Sequence, residues 1–402
     1  MNRPPTSIHS FMKTIGDQQL VKRINRSVLL RLLRKHSGLS RARLAQESGL
    51  TKSTVSLLVR ELIEEGWLSE AESTSAPGLG RPSTPLHIDG TRRAVVGVEV
   101  AVEVLRAVAV SLTGEVLISL EEPLTDPQPQ AVCRQAARLV ARLVKDLVRR
   151  QVQLSGVGMG LPGAFDETTG VVSFAPNLGW RRVDFMPLMT RALEKAGVPS
   201  VQLHVQNEAD TAALSEYEFF SENVKDSLIF VTCGVGVGAG ILLNDRLFTG
   251  VHGMAGEIGH SILQIDGSKC SCGRTGCVET FIGARALARL SDPSVGGKYL
   301  GVVLQNLWTT FDPGALVIGG PSCEKHPEII AVAKEALQAY AASAGMVAPS
   351  VRAARYGLLA SAVGAAALVL YHELRPMHTP AAPVASNAAA KFEPSASAHI
   401  LA

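Results

Sequence analysis

The sequence predicts an α/β protein with a small helical domain at its N-terminal end, and three observations predict it. Residues 25–70 carry apolar side chains at helical spacing. Residues 73–85, Ser-Thr-Ser-Ala-Pro-Gly-Leu-Gly-Arg-Pro-Ser-Thr-Pro, read as a connection. From Arg93 onward, strand-like apolar runs alternate with helical stretches. At roughly 150 residues per domain, 402 residues make two or three domains. With 46% hydrophobic and 19% charged residues, sizeable cores can form and disorder throughout is excluded. The net charge of +3 says little until it is divided. Residues 1–93 carry 15 Lys and Arg against 8 Asp and Glu, and the remainder 24 against 28. A basic head on a mildly acidic body is suited to an anionic polymer.

Within the head, Asn25–Lys35 places Val28, Leu29, Leu32 and Leu33 on one helical face. Ser40 is an N-cap for a second helix, Arg41–Ser48, which Gly49 stops. Thr51 caps a third, Lys52–Glu65, whose apolar face is Val55, Leu58, Val59, Leu62 and Ile63. Gly66 ends it, and Trp67-Leu68 with the return at Thr84–Ile88 form a β-wing. Helix, short turn and helix is the helix-turn-helix layout, in which the N-terminal residues of the second helix enter the major groove of double-stranded DNA. Here those residues are Lys52, Ser53, Thr54 and Ser56, with Arg41 at the start of the preceding helix. Arg81, in Gly80-Arg81-Pro82, is an arm that can reach the adjacent minor groove.

In the body, Ala94–Val100, Leu105–Ser111 and Glu115–Leu120 read as strands and Val132–Arg150 as a helix. Ser227–Leu243 reads as two strands around glycines, and Gly357–Leu370 as a buried apolar segment too short to span a membrane. No internal sequence repeat is visible. Pro376–Ala402 is Ala/Pro/Ser-rich and is expected to be a disordered tail. Met1–Lys13 lacks the apolar stretch of a secretory signal, and six cysteines, three of them bunched, are no disulfide framework, so a reduced cytoplasm is expected.

Three groups of residues carry chemistry. His260, Cys270, Cys272 and Cys277 make a complete Cys₃His set for a tetrahedral zinc ion, and four protein ligands leave no open position, so the zinc is structural. Thr232–Gly240 alternates glycines between apolar strands, a turn that can approach a phosphate closely or simply close a hairpin. Asn177, Asn207 and Glu208 offer donors and acceptors suited to vicinal sugar hydroxyls, although each singly also suits a turn or a cap.

Together these residues resemble the ROK family (repressors, open reading frames and kinases), in particular its NagC/XylR-type transcriptional repressors. The likeness covers roughly residues 20–375, and its most specific part is Glu257-Ile258-Gly259-His260, nine residues, then Cys270 through Glu279. It implies a winged helix-turn-helix at 20–90 followed by a two-lobed, actin-like body of sugar-kinase shape. The lobes would be 93–205 and 206–375, the second holding the zinc loop and a dimerisation surface. It implies zinc on His260, Cys270, Cys272 and Cys277. It also implies a sugar cleft lined by Asn177, Asn207, Glu208, Glu257, His260 and Glu279. Two departures set the chain apart from the family's ATP-dependent sugar kinases, the alternative reading. Ala101-Val102-Glu103 stands where those kinases carry a glycine-rich phosphate loop, and Glu208 replaces their catalytic aspartate. The expectation is a non-enzymatic, sugar-responsive repressor. It would be a homodimer or dimer of dimers on a near-palindromic operator, released by a monosaccharide (xylose or glucose-like) or a phosphosugar. A vestigial cleft that answers to a protein partner is a third possibility.

Overall fold

The computed structural model of the chain describes residues 18–72, 84–220 and 227–377. Arg81 and the tail from residue 378 lie outside these.

The head contains helices α1 (Gln18–Lys35), α2 (Arg41–Ser48) and α3 (Lys52–Glu64) and strands β1 (Leu68–Glu70) and β2 (Leu86–Ile88). Ser40 accepts from the Arg43 amide at 3.4 Å and Thr51 from the Thr54 amide at 3.2 Å, as N-caps do. Gly49 closes α2 at φ 71°, the left-handed region that glycine enters freely. β1 and β2 pair antiparallel, Leu68 opposite Ile88, and make the wing. The first helix begins at Gln18, seven residues before the apolar face predicts. Its opening turns are mostly exposed, with Leu20 and Ile24 half-buried at four-residue spacing, and they are tied down by Lys22 to Glu61 at 2.9 Å and Arg26 to Glu65 at 2.7 Å.

The first lobe has strands β3 (Arg93–Val100), β4 (Val104–Ser111) and β5 (Val116–Pro123), then α4 (Pro129–Arg149) and β6 (Gln153–Leu161). A small sheet of β7 (Ala164–Asp166), β8 (Val171–Ala175) and β9 (Trp180–Asp184) follows, then α5 (Phe185–Lys195) and β10 (Gln202–Asn207). Its main sheet runs β10-β6-β3-β4-β5. Helix α6 (Glu208–Phe219) leads into the second lobe, which opens with β11 (Leu228–Cys233), β12 (Val237–Leu243) and β13 (Arg246–Leu247). Short helices α7 (Glu279–Ile282) and α8 (Ala284–Leu287) precede α9 (Ser294–Phe311), β14 (Ala315–Gly319), α10 (Pro321–Lys325), α11 (Glu328–Ser343) and β15 (Ser350–Ala353). Its sheet runs β13-β12-β11-β14-β15. Each main sheet therefore joins an antiparallel meander of three strands to two later parallel strands, in the same order about the lobe's first strand. The duplication lies in topology, where a search for sequence repeats does not see it.

The last helix, α12 (Ala360–Leu374), corrects one expectation. It runs past Leu370, and Gly357–Leu374 is long and apolar enough to cross a membrane, yet only Glu373 of the helix escapes burial. Its packing is that of a core helix. It packs on β3, β6 and β4 of the first lobe and on α6, while its Ala360, Ala367, Leu368 and Tyr371 share a core with β11, β12 and β14 of the second. An Ala-rich helix buried all round has no amphipathic stripe to report its neighbours. One core cluster joins Leu29, Leu33, Leu44, Val55, Leu62 and Leu86 of the head to Val95, Val108, Val363, Ala366 and Leu370. Head and first lobe thus share a hydrophobic core.

Candidate functional site

A cavity of about 390 Å³ opens between the lobes. Two hairpin turns face it, Ala101–Glu103 between β3 and β4 and Gly234–Gly236 between β11 and β12, together with Asn177 and with Glu208 at the start of α6. The glycine turn permits a close approach. A Cβ at Gly236 would lie 3.2 Å from Glu279 Oε2 and 3.7 Å from Asn177 Nδ2, so these three positions meet at one spot.

Asn207 has a framework role in this structure. Its Oδ1 accepts from the Ala209 amide at 2.7 Å, capping α6, and its Nδ2 donates to the Gly163 carbonyl at 2.9 Å. It thereby fixes the helix whose first residue is Glu208, while Asn207, Glu257, His260 and Glu279 are not among the residues lining the cavity. Burial, with Glu99 and Glu257 nearby, pushes the Glu208 carboxyl up to about 8. Burial also raises Glu257, with Glu279 adding to it. Glu208 is therefore largely protonated near neutral pH and can donate a hydrogen bond as well as accept one.

The cleft wall holds Arg106 and Glu99, which the sequence reading did not single out as site residues. Arg106 projects from β4 and is 8% exposed; its Nη1 donates to Glu99 at 3.1 Å and its Nε to Glu121 at 2.8 Å. A charged residue inside the run Val104–Ser111 was the available signal for it. Burial works against its charge, and the two carboxylates more than restore it.

His260, Cys270, Cys272 and Cys277 converge, their ligand atoms all within 4.8 Å of one another. Cys270 Sγ lies 3.6 Å from His260 Nδ1, and Cys272 Sγ 3.7 Å from Cys277 Sγ. Bonds of about 2.3 Å to sulfur in a tetrahedron give edges near 3.8 Å, so the set fits a metal ion of that geometry. The loop lies beside the cleft: Glu279, next to Gly236, accepts from Ser271 Oγ at 3.3 Å, and Glu257 immediately precedes the turn Ile258–His260.

On the head, Lys52, Ser53 and Ser56 are exposed at the start of α3, and Thr54 is half-buried. Thr54 and Ser53 hydroxyls both bond Thr51, at 2.8 and 2.9 Å. Arg41 pairs with Glu70 of the wing. Arg60 shares the exposed face of Lys52 and Ser56 at four-residue spacing, a position that helical periodicity alone would have found.

A second cavity, of about 650 Å³, lies where the head meets the body. There Glu218, near the end of α6, pairs with Arg34 of α1 at 3.2 Å and with Arg375 at 2.7 Å. Asp245 pairs with Arg31 of α1 at 2.6 Å, accepts from Tyr217 at 2.9 Å and also pairs with Arg375. These charges tie the head to α6 and to the β12–β13 turn of the second lobe.

Comparison with known proteins agrees with this anatomy. The sequence profile of the ROK family matches residues 95–295, and one described as winged helix-turn-helix DNA-binding matches residues 23–69. The xylose repressor of Bacillus subtilis is 30% identical over 343 residues, covering 79% of this chain and 87% of that protein. A solved ROK family transcriptional regulator, a homologue of the Escherichia coli MLC protein, superposes with a TM-score of 0.69 at 22% identity over 89% of this chain and 98% of its own. The ROK hexokinase of Thermus thermophilus superposes with a TM-score of 0.58 at 26% identity, covering 70% of this chain and 99% of its own.

Proposed function

The chain belongs to the ROK family, and from that membership we propose that it is a sugar-responsive transcriptional repressor. The observation that carries the reading is the union, in one chain with one shared core, of a winged helix-turn-helix and a two-lobed cleft. The likeness to the xylose repressor supports a pentose or similar monosaccharide as effector. The cleft binds that sugar through Asn177 and Glu208, with Glu257, His260 and Glu279 held by the adjoining loop. Lys52, Ser53, Thr54, Ser56 and Arg41 supply base and phosphate contacts, with Arg60 as an addition.

Helix α6 supplies the coupling. It starts at Glu208 in the cleft and ends at Phe219, twelve residues or about 18 Å later, beside the Arg34–Glu218–Arg375 network. A sugar that draws the lobes together on Glu208 shifts this rod against α1 and changes the placement of the reading helices. Linkage then requires the sugar to bind the state with weaker DNA affinity.

His260, Cys270, Cys272 and Cys277 hold zinc in this reading, and the bound ion supplies a structural cross-link that orders the loop. The working unit is a homodimer in the cytoplasm. Exposed Val251, Met254, Ile262 and Ile265 around the same loop support a second copy docking there, and six free cysteines suit a reducing compartment.

An ATP-dependent sugar kinase is the other reading, since the body also resembles the hexokinase. Ala101–Glu103 and Glu208 weigh against it, and we assign no phosphoryl transfer. Two assays separate the readings. In operator gel shifts with a panel of sugars, at least one sugar lowers DNA affinity; retention unaffected by every sugar would refute the sensing function. A coupled ADP-release assay gives no turnover with glucose, xylose or N-acetylglucosamine.

A further inference from the structure

We infer that the first-lobe wall of the cleft rejects phosphate groups, through Glu99 and Glu103 with Arg106 locked between carboxylates, so that the sugar admitted is unphosphorylated. The inference rests on the sugar-sensing reading and makes its ligand class specific.

Three carboxyls, Glu99 at the end of β3, Glu103 on the turn and Glu208 on α6, line one cavity. The first-lobe cation that could answer a phosphate there is Arg106, and it is engaged on both sides, by Glu99 at 3.1 Å and Glu121 at 2.8 Å. The other basic residues lining the cavity, Lys325 and His326, come from α10 and the residue after it in the second lobe, and His326 faces Glu328 at 3.4 Å. Burial, with Glu99 and Glu257 adding to it, already holds the proton on Glu208 near neutrality. A phosphate monoester on a sugar at Glu208 and Asn177 brings up to two more negative charges toward Glu99 and Glu103, and the repulsion is screened least at the largely buried Glu99. Neutral hydroxyls meet no such penalty and find acceptors. The turn adds a second obstacle: Ala101 and Val102 project side chains where a phosphate cradle requires bare backbone amides.

The test compares the full-length protein with Glu103→Lys and with Glu99→Gln/Glu103→Gln, by titration calorimetry against xylose, glucose and their phosphate monoesters. Glu103 is exposed on a turn, so the single variant folds even if the double variant does not. Expected for the unaltered protein is binding of a free sugar at least 100-fold tighter than its ester. Glu103→Lys raises ester affinity at least tenfold. Ester binding equal to or tighter than free sugar in the unaltered protein overturns the inference, and so does the absence of any gain in Glu103→Lys. Loss of the sensing reading has a different signature: neither free sugar nor ester binds the unaltered protein.

Discussion

The two lobes place equivalent hairpins on opposite sides of one cleft and equip them in opposite ways. In the second lobe the β11–β12 turn is Gly234-Val235-Gly236, and its missing side chains let Glu279 and Asn177 close in. In the first lobe the β3–β4 turn is Ala101-Val102-Glu103, which presents bulk and charge to the same space. A shared topology therefore gives one wall that admits ligand groups and one that limits them. The difference teaches that, on the sugar-sensing reading, ligand choice is set by two three-residue turns on a duplicated scaffold.

The comparison can be broken most severely at the second lobe's support. Cys272→Ser should remove the metal, measured as ions per chain by elemental analysis, and lower the melting temperature by about 5–10 °C, a few kcal/mol for a body of this size. Sugar binding should fall with it. Wild-type metal content in that variant would overturn the ligand assignment. Next comes the turn itself. Gly236→Val intrudes on Glu279 Oε2 at 3.2 Å and should weaken sugar binding roughly tenfold to 100-fold by calorimetry, with secondary structure unchanged by circular dichroism.

A third effect follows from Glu208. Its carboxyl is raised from 4.5 to about 8 in the folded protein, so the native state binds a proton that the unfolded chain has lost between these values. Its contribution is fully present below pH 4.5 and is lost as pH rises toward 8, with a slope of at most about 1.4 kcal/mol per pH unit. Urea denaturation across this range should show the decline, and Glu208→Gln should flatten it; an unchanged slope in the variant would disprove the assignment. The smallest effect sharpens the contrast: Val102→Gly on the limiting turn should cost only about 0.5–1 kcal/mol of stability and change free-sugar affinity less than threefold.

Much of this was legible because local chemistry reported it. Ser40, Gly49 and Thr51 mark the head's helices by capping, and the Cys₃His spacing marks a cluster whose atoms do converge. Asn207 carried two readings, cap and sugar ligand, and its bonds to the Ala209 amide and the Gly163 carbonyl engage it as a cap. What escaped was long-range. Arg106 with its partners Glu99 and Glu121, and Arg34 with Glu218, are pairs made across strands or between domains. The position of α12 could not be read because Ala-Ser-Ala-Val-Gly-Ala-Ala-Ala is apolar in every direction.

That helix bears on how the protein is made. Val363, Ala366 and Leu370 close the same core as Leu29, Leu44 and Leu62, yet they leave the ribosome only after nearly the whole body has been synthesised. The DNA-reading helices emerge first and wait with one wall of their core open. A chain that stops short of Ala360 lacks that wall, and folded domains have only a few kcal/mol to lose. The packing of the reading head is thereby tied to completion of the body that carries the cleft.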